Sequence, residues 1–236
     1  MKPSPPGVAL VSGAGSGIGR EVALALARRG HRLALVGRRS APLEAVLEAA
    51  GVAGRALALD VRDAAAMAVA TAAVEAELGP IEVAVPAAGV ARVAPFLELS
   101  AADFAESIET NLLGVAHLFR TCLPGMLERR RGHLVAILSV AARQGFAAWS
   151  AYCASKWGLA GLVAALREEL RGSGVRLTSI VPGATDSPIW DELPGSWDRR
   201  RMSPAAEVAR AVVGALDGGA GVEVEEIRLQ PPGGNL

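Results

Sequence analysis

Seven short apolar runs recur along the chain with longer stretches of helical period between them, and this alternation limits the possible folds more than any other feature. The runs span residues 8–12, 32–37, 55–60, 81–85, 133–138, 175–181 and 225–229, and the helical stretches span 17–29, 41–50, 63–78, 101–130, 150–171 and 204–216. Strands this uniformly apolar are covered on both faces, which is the condition of parallel strands joined by helical crossovers. The expectation is therefore an α/β fold: one doubly wound, seven-stranded, mostly parallel sheet with helices on both faces. No linker or low-complexity tract divides the pattern, so residues 1–236 read as a single domain. Pro124, inside the fourth helical stretch, is expected to kink or divide that helix. The one irregular insertion is 186–201, with Pro188, Pro194, Gly195 and two tryptophans, and segments of this kind often act as lids over active sites.

Composition removes several function classes. Half the residues, 51%, are hydrophobic, and 24 basic residues balance 24 acidic ones. A disordered chain would be poorer in apolar residues, and a binder of nucleic acid backbones would carry a basic excess, so a small-molecule partner is favoured. The two cysteines, Cys122 and Cys153, do not suggest a disulfide framework, and the opening residues are interrupted too early for a signal peptide or membrane span. A cytoplasmic location is expected. His31, His117 and His133 lie far apart, without metal-ligand spacing.

After the first run comes Ser12-Gly13-Ala14-Gly15-Ser16-Gly17-Ile18-Gly19-Arg20, opening a helix. Glycines at a strand-to-helix turn let backbone approach a pyrophosphate, and the helix start presents unpaired N–H groups and a positive dipole end. Gly13, Ser16, Gly17, Ile18 and Gly19 are the expected cradle of a Rossmann-type dinucleotide site. The second strand ends in Arg38 and Arg39, where an NAD-selective site would place a carboxylate for the ribose 2′-hydroxyl. Guanidinium groups suit a 2′-phosphate instead, so NADP is expected and NAD is less favoured. Asp60 and Val61, ending the third strand, are placed to meet the adenine, although an aspartate there could equally cap the next helix.

Tyr152, the only tyrosine, and Lys156 lie four residues apart at the start of a helical stretch and share one face. An ammonium beside a phenol favours the phenolate, bringing it towards the range where it exchanges a proton with an alcohol or carbonyl oxygen. Ser139 ends the fifth strand at the carboxyl edge, where doubly wound sheets hold ligands, and its hydroxyl could bond the substrate oxygen.

Taken in order, these motifs resemble the short-chain dehydrogenase/reductase family over nearly the whole chain. The glycine turn at 12–19 resembles its TGxxxGxG, Tyr152 and Lys156 its YxxxK, Ser139 its serine, Asn111 in Thr110-Asn111-Leu112 its helical asparagine, and Pro182-Gly183 its PG turn. The resemblance implies a tetrad. Tyr152 would be the general acid and base, Ser139 would polarise the carbonyl, Lys156 would lower the tyrosine pKa and bind the nicotinamide ribose, and Asn111 would hold a relay water. It also implies that Pro182, Gly183, Thr185 and Ser187 fix the carboxamide, and that the chain forms a homodimer or homotetramer. The small residues Ala160, Gly161, Ala164 and Ala165 offer a close-approach face for such assembly. One departure stands out: Pro86-Ala87-Ala88-Gly89 replaces the usual Asn-Asn-Ala-Gly, leaving only the backbone of Ala87, Ala88 and Gly89 to meet the adenosine ribose and putting strand anchoring in question.

The expectation is thus an NADP(H)-dependent oxidoreductase interconverting a carbonyl and an alcohol, with a non-catalytic redox sensor on the same fold as the alternative. Ala141, Arg143, Gln144, Phe146, Trp149, Phe96, Trp190 and Trp197 are expected around the nicotinamide. Their aromatic content implies an apolar substrate, unless Arg143 faces the cavity and selects an anion.

Overall fold

The computed structural model describes residues 6–218 and 222–234; the opening residues 1–5, on which the reading of the N-terminus partly rests, lie outside the described residues. Strands β1 (Val8–Ser12), β2 (Arg32–Gly37), β3 (Gly54–Ala58), β4 (Ile81–Pro86), β5 (Gly132–Ile137), β6 (Val175–Pro182) and β9 (Glu226–Leu229) make one sheet in the order β3-β2-β1-β4-β5-β6-β9. Two-residue strands β7 (Thr185–Asp186) and β8 (Ser203–Pro204) pair separately and close the base of the 186–201 segment. Every pairing in the large sheet is parallel, so the expected sheet is present and is wholly rather than mostly parallel.

Alternate strand residues feed two cores. On β1, Val8 and Leu10 join the layer with α3 (Ala64–Leu78), α5 (Gly114–Glu128) and α6 (Ser150–Glu169). Ala9 and Val11 join the layer with α1 (Gly17–Arg28), α2 (Ser40–Ala50) and α7 (Ala205–Leu216). The period-2 geometry of a strand thus explains why β1, buried at every position, is apolar on both faces. Among the described residues no helix is long and apolar enough to cross a membrane.

The fourth helical stretch divides, but not at Pro124. It runs as α4 (Ala101–Ile108), a π-helical turn (Glu109–Leu113) and then α5, which continues through Pro124. Proline frees one carbonyl, that of Arg120, an exposed residue whose backbone can meet water. The break comes where a wider turn carries Thr110 and Asn111 inward, and such turns commonly mark functional sites.

The chain winds outward from β1 to β3, then returns to place β4 on the other side of β1. That reversal opens a crevice at the carboxyl ends of β1 and β4, where open α/β sheets take their ligands.

Candidate active site

A cavity of about 510 Å³ occupies this crevice and continues along the carboxyl ends of β5 and β6. All the residues expected to bind the cofactor line it: Gly13, Ser16, Gly17, Ile18, Gly19, Arg38, Arg39, Asp60, Val61, Ala87, Ala88, Gly89, Pro182, Gly183, Thr185 and Ser187, together with Tyr152 and Lys156.

The glycine turn is tight enough that side chains are excluded. A Cβ on Gly13, where φ is +64°, would lie 2.6 Å from the Ala88 nitrogen, and one on Gly19 would meet the Gly13 carbonyl oxygen. Helix α1 therefore packs directly beneath the turn. Its N-cap, Ser16, makes no side-chain cap bond, and its first turn holds no acidic residue, so the positive end of the helix faces the cavity uncompensated. Arg38 and Arg39 are exposed, and among the described residues neither pairs with a carboxylate. A cradle without side chains, an open helix start and two unmatched guanidinium groups together fit a phosphorylated dinucleotide.

Asp60 does not cap α3; Asp63 does, accepting from the Ala66 N–H at 2.9 Å. Arg62 instead grips Asp60 with its Nε and Nη2, at 3.0 and 2.7 Å from Oδ2, which holds the Asp60 carboxyl below its ordinary range. Arg62 also lines the cavity, and only its position two residues beyond Asp60 hints at this in the sequence.

The unusual turn after β4 is anchored by β1. The Ala87 N–H donates to the Ser12 carbonyl and the Ala88 N–H to Ser12 Oγ, both at 3.2 Å. Asn111, fully buried, then fixes the chain just beyond. Its Oδ1 accepts from the Val90 N–H at 2.9 Å, and its Nδ2 donates to the Val90 carbonyl at 2.8 Å and to Ser155 Oγ at 3.0 Å. Both amide protons are spent, so a water at Asn111 would have to donate to its Oδ1 or be held by its backbone. Ser155, which sequence reasoning passed over, donates in turn to the Tyr152 carbonyl at 2.7 Å and links the π-helical turn to the tyrosine.

Ser139 lies two residues beyond the end of β5, where its Oγ accepts from the Ala141 N–H at 3.1 Å, and it lines the cavity together with Tyr152. Lys156 Nζ donates to the Ile137 carbonyl at 3.0 Å and lies 5.7 Å from the centre of the Tyr152 ring. The electrostatics differ from the expectation. Burial raises the Tyr152 phenol above its ordinary value, with the neighbouring Ser139 hydroxyl opposing, while burial lowers Lys156 to about 8. With the protein's own groups alone, desolvation outweighs the opposing effect of the Ser139 hydroxyl on the phenol.

Beyond Tyr152 stands an aromatic wall. Trp149 lies 5.5 Å from Tyr152, 6.0 Å from Trp190, 6.4 Å from Trp197 and 6.5 Å from Phe146, centre to centre. Trp190 is also tethered, its Nε1 donating to the Thr185 carbonyl at 2.8 Å. Ala141, Phe146, Trp149, Trp190 and Trp197 line the cavity as expected, but Arg143, Gln144 and Phe96 do not. Phe96 is 68% exposed, and Arg143 is drawn out of the site by Glu226 of β9, 2.5 Å away. The histidines are spent separately, on the Gly7 carbonyl, the Val61 carbonyl and the Thr178 hydroxyl.

Comparison with known proteins adds relatives to this geometry. Residues 7–196 match the family model described as short chain dehydrogenase. An uncharacterized oxidoreductase of Myxococcus xanthus is 42% identical over 184 residues, covering 77% of this chain and 73% of its own. A sepiapterin reductase of Chlorobaculum tepidum is 34% identical over 239 residues, covering 97% of this chain and 98% of its own. The crystal structure of an alcohol dehydrogenase from the archaeon Thermococcus sibiricus, complexed with 5-hydroxy-NADP, superposes with a TM-score of 0.87 at 30% identity, covering 96% of this chain and 97% of that one.

Proposed function

The chain belongs to the short-chain dehydrogenase family and is an oxidoreductase, and on that premise we propose that it uses NADP(H) to interconvert a small ketone or aldehyde with its alcohol. The observation that carries this reading is that Ser139, Tyr152 and Lys156 line the same cavity as the glycine cradle, with Lys156 Nζ 5.7 Å from the centre of the Tyr152 ring. NADP(H) would be held by the backbone at Gly13 to Gly19, with Arg38 and Arg39 on the 2′-phosphate, Asp60 and Val61 at the adenine, and Thr185 and Ser187 at the carboxamide. When bound it supplies or accepts the hydride.

Ser139 Oγ and Tyr152 Oη converge on the substrate oxygen. In reduction, Ser139 donates a hydrogen bond that polarises the carbonyl, and Tyr152 gives up its proton as the alkoxide develops; in oxidation it takes that proton back. The raised phenol favours the proton-donor role. Lys156 shares its protons with the Ile137 carbonyl and the ribose hydroxyls and stabilises the phenolate once formed. Asn111 and Ser155 act as positioning residues, fixing the turn after β4 and the backbone of Tyr152. The 186–201 segment serves as a lid that excludes water. The small-residue face of α6, extended by Trp157 at 52% exposure, serves as a contact in a homo-oligomer, which sedimentation at micromolar concentration would overturn by finding only monomer.

The redox-sensor alternative drew on the altered turn at 86–89, whose anchoring to β1 is supported by the Ala87 and Ala88 N–H groups donating to Ser12, while the presence of Ser139, Tyr152 and Lys156 in one cavity favours turnover. Incubating the protein with NADPH and a panel of ketones and aldehydes, and following loss of the reduced-cofactor absorbance, tests the reading; no turnover of any carbonyl overturns it.

A further inference from the structure

Building on the proposed carbonyl and alcohol chemistry, we propose that this site selects substrates bearing an alkylated ammonium group, held against the indole faces of Trp149, Trp190 and Trp197 with Glu192 as the nearby counter-charge. The chain is poor in aromatics, at 4% of residues, yet commits three of its four tryptophans to this wall. Leucine or valine, both plentiful here, would satisfy a merely apolar ligand. Indole rings add a negative face, which attracts a cation with no polar hydrogen of its own.

The three rings meet at steep angles rather than in parallel stacks. Trp149 meets Trp190 at 60° and Trp197 at 78°, and Trp190 meets Trp197 at 58°. All three rings line the cavity. The three rings come from the start of α6 and from two points of the 186–201 segment.

Of the charged residues on the 186–201 segment only Glu192 lines the cavity; Arg199, Arg200 and Arg201 stand outside the lining, Arg199 paired with Asp186 and Asp191 and Arg200 with Asp198. Glu192 lines the cavity, and its only ion pair among the described residues is with Arg92, at 3.4 Å. Arg92 also faces Glu106 at 2.7 Å and Asp103 at 3.6 Å, so one guanidinium serves three carboxylates and the group is net negative. The basic residues of the cavity stand elsewhere: Arg38, Arg39 and Arg62 beyond β2 and β3, and Lys156 behind Tyr152 on the Ile137 carbonyl. Arg143, which could have recruited an anion, is outside. The one feature favouring an acceptor is Trp197 Nε1, buried without a partner, and a single neutral donor does not offset the carboxylates.

The test compares three alcohols of similar size in the presence of saturating NADP: 2-(trimethylammonio)ethanol, its uncharged isostere 3,3-dimethylbutan-1-ol, and 4-hydroxybutanoate. Binding is read by quenching of tryptophan fluorescence and oxidation by formation of NADPH. The cation should bind about five- to thirtyfold more tightly than the isostere, the range that cation–π contact supports, and the anion should bind weakest. Glu192→Gln, at an exposed position where folding is not at stake, should reduce the cation-to-isostere ratio. Equal or tighter binding of the isostere, tightest binding of the anion, or quenching by none of the three overturns the inference. Turnover of the isostere without a cation preference sinks the inference alone, whereas selective binding of the cation with no NADPH formed, from it or from any alcohol, sinks the carbonyl chemistry alone.

Discussion

At the carboxyl ends of β1, β2 and β4 the cavity is made chiefly of backbone, whereas past β5 it is made of side chains. At the first end, a Cβ on Gly13 would collide with Ala88, and the exposed N–H groups of α1 face inward. At the second, Ser139, Tyr152 and a cluster of indoles converge from three separate segments. Backbone recognition tolerates almost no added atoms but is indifferent to the rest of the ligand, so it suits a shared cofactor. Side-chain recognition can be rewritten residue by residue, so it suits a substrate particular to one enzyme. The two ends are joined by Ser155 and Asn111, which tie the tyrosine to the turn after β4.

The largest effect that would separate the two ends is chemical. Tyr152→Phe should lower turnover by about 100- to 10,000-fold, the usual contribution of general acid–base catalysis, while the affinity for NADPH in a fluorescence titration stays within a few-fold. Loss of cofactor binding in that variant would mean that the ends are not independent. Arg38→Asp should do the converse, shifting the NADP-to-NAD affinity ratio by about 10- to 100-fold with little change in turnover at saturation, because a charge-assisted bond to the 2′-phosphate is lost and a repulsion gained. Equal affinity of the unmodified protein for the two cofactors would remove the basis of that expectation.

Gly13→Ala sharpens the claim about backbone. With φ at +64° and Ala88 backbone only 2.6 Å from the new methyl, the turn must shift, and calorimetry should record about 1–3 kcal/mol of lost stability along with weakened NADPH binding. An unchanged Tm would show the turn to be softer than its geometry implies. The last effect is absent at neutral pH and concerns His133, at the amino end of β5. Burial lowers its pKa to about 3, so between pH 6.5 and 3 the unfolded chain binds a proton that the folded one does not. Stability from this residue is therefore complete above pH 6.5 and falls by about 1.4 kcal/mol per pH unit on acidification. His133→Gln should flatten the denaturation midpoint against pH by that one proton, and an unaltered slope would count against the assignment.

Sequence alone determined the strands, the parallel architecture, the glycine cradle and the Ser139, Tyr152 and Lys156 positions, because each rests on local periodicity or on spacing within one element. Asp60 shows where such reading stops: its capping role passed to Asp63, and its carboxylate went to Arg62. The tertiary structure alone decided that Arg143 turns to Glu226, that the amide of Asn111 is consumed by Val90 and Ser155, that Phe96 stands outside the cavity while the tryptophans from two distant segments meet within it, and that the phenol is raised rather than lowered. These outcomes depend on contacts between residues far apart in the chain and on the desolvation they produce, and a linear pattern carries neither.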